Sequence, residues 1–292
     1  MNKKLMSLVN NMIQEDGLYD TNIPAVKLYK TTTPIKSCPF LYDHHLVILL
    51  QGHKVVKTPR GSIEYNSKKY LVVPTTLPLE VETFATKEEP LISLVIKLDK
   101  KILFEIFDSL NLNEKDIVKS SDLAIFTDTI TEDIEDALYR LVKSMQSQND
   151  SKILGELLLK ELFYRVVQGD KSMFLHKLFL NTTVESKISR SVRRIHDQLN
   201  KNLDVKTLSR FEDMSVSSFH THFKNITSYT PRQYIKNLRL TKANNLLSNY
   251  NYQVNEVAYE IGYESVPQFS NDYKAYFGFT PKDTPKIFSF SK

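Results

Sequence analysis

The chain has 292 residues, 41% of them hydrophobic and 25% charged, a composition typical of soluble globular proteins. Cys38 is its one cysteine, which excludes an intramolecular disulfide and any zinc site built from several cysteines, and fits a reducing, cytoplasmic location. The net charge of +5 is unevenly placed: residues 186–292 hold 16 Lys and Arg against 9 Asp and Glu, whereas residues 1–185 hold 23 against 25. The final third is therefore expected to be the part that meets a polyanion.

The sequence has no segment typical of export or membrane insertion. The N-terminal stretch MNKKLMSLVNNMIQEDG has an apolar part that is short and interrupted by Asn, Gln and Glu, so it does not predict a signal peptide. No run of about 18 apolar residues occurs, and a membrane span is not expected.

The first hundred residues are rich in β-strand patterns. Leu46–Val56 contains two apolar runs separated by Gln51 and Gly52, a pair that predicts a turn between strands. The segments SIEYNSKKYLVVP, LPLEVETF and PLISLVIKL follow, with turn residues between them. Many short strands at this spacing predict a β-sandwich or a small barrel.

Three segments after Asp99 have apolar residues at helical spacing: KKILFEIFDSL, ITEDIEDALYRLVKSM and SKILGELLLKELFYRVV. Thr131 and Ser151 are expected to cap the second and third helices, whose apolar stripes predict either internal packing or a dimer seam. With a boundary placed in 171–187, the pattern predicts an α+β chain of two domains. We refer to residues 1–178 as the front domain and to residues 186–292 as the basic domain.

The basic domain contains an internal repeat of about 50 residues. One copy has the residues Val205, Leu208, Ser209, Asp213, Met214, Phe219, Phe223, Thr230 and Pro231. The other has Val254, Val257, Ala258, Gly262, Tyr263, Phe269, Tyr273, Thr280 and Pro281, with one extra residue in its turn. Each copy predicts a helix-turn-helix unit, in which Asp213 or Gly262 supplies the positive φ of the turn. In the first copy, Asp204 is expected to be the N-cap, and Val205, Leu208 and Phe211 the buried face.

The second helix of each copy is expected to bury its two aromatic residues and to expose a small polar face, as a helix that enters the major groove does. The residues predicted to contact DNA are Ser217, His220, Thr221 and Lys224 in the first copy and Val266, Gln268, Ser270, Asn271 and Lys274 in the second. The two lysines are assigned to phosphates. Between the copies, PRQYIKNLRLTKANNLLSN predicts a helix with a length of roughly 25 Å. Such a helix is suited to holding the DNA-contacting helices of both copies in successive major grooves.

These motifs resemble the AraC/XylS family of bacterial regulators, through SVSSFHTHFKNITSYTPRQYIKNLRLTKANNLL and VNEVAYEIGYESVPQFSNDYKAYFGFTP. The front domain, through HLVILLQGHKVV, YLVVPTTLPLEVE and EEPLISLVIKLDKKIL, is similar to that of a subgroup of regulators of aldehyde-reductase genes. The resemblance implies a cupin-like β-barrel with trailing helices, used for effector sensing or dimerisation, followed by an all-α tandem helix-turn-helix domain. It implies a sequence-specific transcriptional regulator without catalysis or cofactor. Its partners would be double-stranded DNA, RNA polymerase, a small-molecule effector and a second copy of the chain.

The sequence departs from the family pattern at four positions. Ser209 and Asp213 replace the usual Ala and Gly of the first turn, and Thr221 and Asn271 stand where many relatives have Arg. Because Arg is the strongest reader of guanine, we expect more apolar and shape readout, or A·T-rich sites.

Other functions can be weighed against this interpretation. His44, His45 and His53 invite a cupin metal site, but adjacent histidines face opposite sides of a strand, so structural roles are favoured and no metal is expected. Cys38 is either a redox or electrophile sensor or, as is commoner for a lone cysteine, a packed apolar residue. A cupin oxygenase or isomerase and an architectural DNA binder without sequence preference are the alternative functions. The effector, the target genes, the oligomeric state and the choice between activation and repression stay open.

Overall fold

A computed structural model describes residues 3–110, 125–169, 171, 173–179, 183–201, 203–249 and 252–284. Its strands are β1 (Gly17–Asp20), β2 (Val26–Thr31), β3 (Ile35–Tyr42), β4 (His45–Gln51), β5 (His53–Thr58), β6 (Gly61–Asn66), β7 (Lys69–Val73), β8 (Leu77–Phe84), β9 (Leu91–Lys97) and β10 (Phe126–Thr129). Its helices are α1 (Lys3–Met12), α2 (Lys100–Leu110), α3 (Glu132–Ser144), α4 (Gln148–Val167), α5 (Met173–Phe179), α6 (Val184–Asp197), α7 (Val205–Phe211), α8 (Val216–Thr227), α9 (Pro231–Asn249), α10 (Val254–Glu260) and α11 (Val266–Phe277). None of the helices in these parts of the chain combines the length and the apolar composition that a membrane crossing requires.

The strands form two facing antiparallel sheets. The larger has the order β1-β2-β9-β4-β7-β10 and the smaller the order β3-β8-β5-β6. In β4, Leu46, Ile48 and Leu50 pack in one hydrophobic core, whereas Val47 and Leu49 pack in the other. Burial on both faces explains why the apolar run of β4 is continuous rather than alternating. The expected cupin-like α+β architecture is confirmed, as two stacked sheets rather than one closed ring of strands.

The predicted turn at Gln51 and Gly52 is confirmed, and it carries the chain from the larger sheet to the smaller one. Gly52 has a φ of +80°, and a Cβ added to it would lie 3.1 Å from the Cα of Leu91. A side chain is therefore disfavoured there both by conformation and by space.

Helices α1 to α4 cover the outer face of the larger sheet and complete the front-domain core. Thr131 caps α3 as predicted, since its side chain accepts a hydrogen bond from the amide of Ile134. The prediction of Ser151 as the next cap was wrong: α4 begins four residues earlier than that cap implied, and Ser147 accepts the capping bond from the amide of Asp150. The polar start of α4 hid this turn from the apolar pattern. Ser151 is instead buried, and its hydroxyl donates to the Ser144 carbonyl.

The core between the two sheets continues into the basic domain. The same hydrophobic cluster includes Val47 and Leu79 of the sheets, Ile188 and Val192 of α6, and residues of α8 and α9. Helices α10 and α11 pack around a separate cluster with the second half of α9. The first helix-turn-helix unit is therefore packed against the front domain, while the second has a core of its own.

Candidate nucleic-acid interface

The first helix-turn-helix unit consists of α7, a four-residue turn and α8. Asp204 caps α7 as predicted, accepting a hydrogen bond from the amide of Thr207, and Leu208 is buried. Asp213 has a φ of +52°, which confirms the left-handed turn residue. The prediction that Phe211 is buried was wrong. It is 52% exposed, and the guanidinium of Arg194 from α6 lies 3.8 Å from its ring centroid.

Helix α8 has the two-sided character expected of a recognition helix. Ser215 caps its N-terminus, and Ser228, at a φ of +68°, ends it. Phe219 and Phe223 are fully buried. The opposite face exposes the four residues predicted to contact DNA, which share one helix face because the last three lie three, four and seven positions after the first: Ser217, His220, Thr221 and Lys224.

The second unit repeats this arrangement with α10 and α11, and its turn is one residue longer, as the repeat predicted. Ser265 and Gly278 stand where Ser215 and Ser228 stand in the first unit, and Gly278 has a φ of +85°. Phe269 and Tyr273 are the buried anchors. Of the residues predicted to contact DNA, three are exposed and two are half-buried: Gln268, Asn271 and Lys274, and Val266 and Ser270.

Ser209 is accommodated by a backbone hydrogen bond. The side chain is buried beside Leu208, and its hydroxyl donates to the carbonyl of Lys206 at 3.0 Å. A buried hydroxyl with a partner costs little, so the Ser that replaces the family's Ala does not disrupt the first unit.

The turn of the second unit packs against the connection between α6 and α7. A Cβ added to Gly262, whose φ is +87°, would lie 2.9 Å from the Cα of Asn200. The guanidinium of Arg239, in α9, lies beside the same segment and donates hydrogen bonds to the carbonyls of Leu199 and Lys201 at 3.1 and 3.0 Å. These contacts hold the turn of the second unit and α9 against the segment that precedes the first unit.

A polar cluster holds α11 on the connecting helix. Asp272 of α11 forms an ion pair with Lys236 of α9 at 2.5 Å and accepts a hydrogen bond from the hydroxyl of Tyr263 at 3.1 Å. Helix α9 has 19 residues, which corresponds to a length of about 28 Å. Its first half packs on the first unit and its second half on the second, so it acts as a rigid spacer.

Sequence reasoning missed two cations beside the predicted interface. Lys206 and Arg232 are exposed and line the groove between the two units, which Gln268 also lines. Both lie in the first turns of α7 and α9, where Asp204 and Thr230 are the capping residues. The signal available in the sequence was the position of these two cations, each within the first turn after a predicted helix start.

The three histidines of the front domain lie in different surroundings. His44 faces a groove at the edge of the sheets, His45 lines the space between the sheets, and His53 stacks on Phe84 with ring centroids 4.1 Å apart. His44 precedes β4 and has a φ of +46°, so the alternation expected for two adjacent strand residues does not apply to this pair. Within the described part of the chain, no three His, Cys, Asp or Glu side chains lie close enough to hold a metal ion.

Side chains of both sheets, among them Val47, Leu49, Val56 and Leu79, pack in one hydrophobic cluster between the sheets. The cavity there measures about 10 Å³, and its lining includes His45 and Lys54. Burial lowers the pKa of His45 to about 4 and that of Lys54 to about 8, because the charged forms are poorly solvated there. Burial also raises the pKa of Cys38, which disfavours the reactive thiolate and supports the packing role.

Two family models match the chain. Residues 22–173 match the N-terminus of AraC-type transcriptional regulators, and residues 208–286 match a helix-turn-helix domain. Curated relatives include the HTH-type transcriptional activator RhaS of Salmonella newport and of Salmonella agona, each 26% identical over 102 residues. The match takes in 35% of this chain and 37% of RhaS, little more than a third of those relatives' length.

Among solved structures, the chain is similar to ToxT of Vibrio cholerae with an unsaturated fatty acid bound. The TM-score is 0.60 at 13% identity, covering 88% of this chain and 92% of ToxT. ToxT bound to (E)-4-(8-methylnaphthalen-1-yl)but-3-enoic acid gives 0.59 at 14% identity, covering 88% and 96%. At identities this low, the similarity shows a shared fold and nothing more. The aligned region includes both domains of this chain. Because the AraC-type N-terminal model alone matches more than half of the chain, and a helix-turn-helix model follows it, the chain belongs to the AraC/XylS family of transcriptional regulators.

Proposed function

We propose that this regulator binds a specific DNA sequence by placing α8 and α11 in successive major grooves, and that it catalyses no reaction. The observation that carries the proposal is the structural repeat. Both helices bury an aromatic pair on one face, end in a left-handed residue, and expose short polar side chains and one lysine on the other. The site we propose comprises Ser217, His220, Thr221, Lys224, Val266, Gln268, Ser270, Asn271 and Lys274.

Two kinds of contact follow from the chemistry of these side chains. Lys224 and Lys274 are point charges suited to phosphates, which contribute affinity without sequence information. Asn271 and Thr221 present hydrogen-bonding groups to base edges, where Asn pairs best with adenine. We add Lys206 and Arg232 as phosphate contacts, because both line the groove between the two helix-turn-helix units.

Competition binding separates this function from that of an architectural DNA binder. Sites are first selected from random duplexes by the full-length protein, and anisotropy then compares the selected site with a scrambled duplex at the same salt concentration. We expect at least a hundredfold preference for the selected site. Equal affinity for both duplexes would show an architectural binder instead.

Variants distinguish the two kinds of contact. Lys274→Ala should weaken binding to both duplexes by a similar factor and reduce the salt dependence. Asn271→Ala should weaken binding to the selected site alone, by about 1–3 kcal/mol. Lys87→Ala, in an exposed front-domain loop, is the control and should change neither.

We further propose that residues 1–178 sense a small molecule and that residues 186–292 bind DNA. The regulator would act in the cytoplasm as a homodimer. ToxT, whose fold this chain shares, has been solved with an unsaturated fatty acid. RhaS is a transcriptional activator, and we extend activation through RNA polymerase to this chain. In vitro transcription from a promoter that carries the selected site tests this point, and repression would contradict it.

Helix α4 offers the surface for the homodimer. Ile153 and Leu157 are exposed one helical turn apart, and Leu154 lies beside them, partly exposed. Exposed apolar residues on one helix face are typical of a partner contact. Sedimentation of the wild type and of the double variant Ile153→Ser and Leu157→Ser tests the seam, and a wild type that sediments as a monomer would contradict it.

A further inference from the structure

The hairpin of β5 and β6 in the smaller sheet reaches the first recognition helix. Pro59 and Arg60 form the turn between the two strands. The guanidinium of Arg60 donates a hydrogen bond of 3.0 Å to the side-chain carbonyl of Asn225 in α8. A residue at the tip of a front-domain hairpin is therefore in direct contact with a helix that is proposed to lie in the major groove.

The position of Arg60 is held by the turn and by the core beneath it. The hydroxyl of Thr58 accepts a hydrogen bond from the amide of Arg60 at 3.2 Å, which closes the turn. Below the turn, Val56 of β5 belongs to the same hydrophobic cluster as Phe219 and Phe223 of α8. The hairpin and the recognition helix are thus anchored on one core, and the contact between them does not depend on the hydrogen bond alone.

Asn225 lies at the flank of the DNA-facing side of α8. Ser217 is near the middle of that side, and at 3.6 residues per turn Asn225 is rotated from it by about 80° around the helix axis. A helix with its side chains is about 10–12 Å across and the major groove is about 12 Å wide, so the flanks of a helix in the groove lie next to the bordering phosphates. Arg60, which bonds Asn225 from outside the helix, is therefore on a side of α8 that faces a phosphate strand.

The positive charge of Arg60 is not paired within the described part of the chain. Its side chain is exposed, and Asn225, its one described side-chain partner, is neutral. Three carboxylates occur on this hairpin and on the neighbouring strand β8, and none of them forms an ion pair with Arg60: Glu64, Glu80 and Glu82. Glu82 is engaged with Lys57 at 3.2 Å. The remaining donors of the guanidinium can thus bind a phosphate, whose oxygens match the planar fork of Arg.

We propose that Arg60 and Asn225 together bind one backbone phosphate of the DNA, at the edge of the major groove in which α8 lies. The inference rests on the proposed function, to which it adds a DNA contact from the front domain. Since the side-chain carbonyl of Asn225 accepts from Arg60, its NH2 group is left as a second donor for the same phosphate. A phosphate contact carries no base information, so this site contributes affinity and fixes the position of α8 along the groove.

A phosphate site shared by two domains couples DNA binding to the docking of the hairpin on α8. DNA that engages both Arg60 and Asn225 stabilises the docked arrangement. By the same linkage, any change in the front domain that moves the hairpin away from α8 weakens DNA binding. The domain that is proposed to sense the effector would in this way take a direct part in holding the DNA.

The salt dependence of DNA binding by the full-length protein tests the contact. Arg60→Gln should lower the affinity about fivefold for the selected and the scrambled duplex alike, and should reduce the slope of log K against log salt concentration by about 1. Lys68→Gln removes the same charge from the exposed turn at the opposite end of β6, roughly 20 Å away, and as the matched control should change neither. Unchanged binding by Arg60→Gln would overturn the proposal. Tighter binding would do so too, because it would show that the hairpin restrains α8.

Methylphosphonate substitution locates the phosphate. Each phosphate of the selected duplex is replaced in turn by an uncharged methylphosphonate, and the wild type should lose about fivefold in affinity at one position that borders the half-site of α8. Arg60→Gln should lose nothing further at that position, while it still responds at the others. The same profile for both proteins would overturn the proposal even if Arg60→Gln binds more weakly, because looser domain packing lowers affinity without removing a phosphate contact.

Asn225→Asp separates a DNA contact from a purely structural one. The change keeps an acceptor for Arg60 but adds a negative charge where the phosphate would lie. Urea unfolding should therefore show no loss of stability, whereas the affinity for DNA should fall at least as far as in Arg60→Gln. Full affinity in Asn225→Asp would overturn the proposal. Since sequence preference compares two duplexes, while the salt slope can be measured on either of them, this inference and the proposed function fail separately.

Discussion

The hydroxyl of Tyr234 donates a 2.6 Å hydrogen bond to the backbone carbonyl of Thr76, so the helix that joins the two DNA-binding units is tied to a strand connection of the front domain. Tyr234 is fully buried, and its ring contacts Phe223, whose helix exposes the predicted DNA-contacting residues. The recognition helix is therefore supported from behind by the domain that is proposed to sense the effector. This contact gives the front domain a direct physical means of influencing α8.

Replacing Tyr234 by Phe should cost about 1–2 kcal/mol of folding free energy. The change leaves a buried carbonyl without its partner while it keeps the ring packing. Urea unfolding of the full chain measures the loss. Tyr259→Phe, on a side chain that is 60% exposed, is the control and should be neutral. A neutral Tyr234→Phe would mean that water satisfies the Thr76 carbonyl.

Replacing Gly262 by Ala should destabilise the basic domain far more than replacing Gly278 by Ala. Both glycines have a φ near +85°, so each substitution costs about 1 kcal/mol in conformation. A Cβ at position 262 also lies 2.9 Å from backbone of Asn200, whereas one at position 278 meets nothing within 4 Å. We expect a further loss of about 2 kcal/mol for Gly262→Ala. Equal losses in urea unfolding would show that the turn of the second unit is not held against the α6–α7 connection.

Replacing Arg190 by Ala should destabilise the first unit by about 2 kcal/mol. The change leaves the carboxylate of Glu212, which is 2% exposed, buried without its cationic partner. The guanidinium of Arg190 contacts this carboxylate at 2.9 and 3.0 Å and joins α6 to the end of α7. The double variant Arg190→Ala and Glu212→Gln should recover part of the lost stability, since burial of a neutral amide costs less free energy than burial of an unpaired carboxylate. Arg140→Ala, which breaks an exposed pair with Glu161, is the matched control and should cost less than about 1 kcal/mol.

The strands from β4 to β9 were predictable because their apolar runs are bounded by turn residues. Strand β10 was not, since the four residues FTDT owe their conformation to pairing with β7 rather than to their own pattern. The start of α4 was missed for a related reason, because its first turn is polar and is held by the cap at Ser147. Short elements stabilised by tertiary contacts leave a weak local signal.

The recognition helices were predictable because each must bury two aromatic residues one turn apart, which leaves a clear spacing in the sequence. The contacts that position those helices were not. Tyr234 and Arg239 donate to backbone carbonyls, at Thr76, Leu199 and Lys201, and a carbonyl acceptor carries no residue identity that a sequence pattern could reveal.

Stability should fall as the pH drops from about 7 to about 4, and His45 should account for much of the slope. The pKa of His45 in the folded chain is about 4, lowered by burial from an unfolded value of about 6.5. Between these values the unfolded chain binds a proton that the folded chain does not, so acid favours unfolding by up to roughly 3 kcal/mol. The lowered pKa of His176 acts in the same direction, whereas Asp43 acts only below about pH 4. Urea unfolding at pH 7, 6 and 5 should show a shallower decline for His45→Gln, and an identical decline would contradict the assignment.

Replacing Thr221 by Arg should shift the selected DNA sites towards guanine in the half contacted by α8. Thr221 is exposed on the face opposite Phe219 and Phe223, where a longer side chain meets no steric obstacle from the anchors. Arg bonds the O6 and N7 atoms of guanine through two donors, which is worth about 1–3 kcal/mol in discrimination, whereas Thr offers one hydroxyl and a methyl group. Site selection with the wild type should return A·T-rich or shape-dependent sequences, and the variant should add a guanine at one position. Asn271→Arg, the equivalent change in α11, should add its guanine in the other half-site. A wild-type motif rich in G·C would show that bases are read by other residues than those on the exposed faces of α8 and α11.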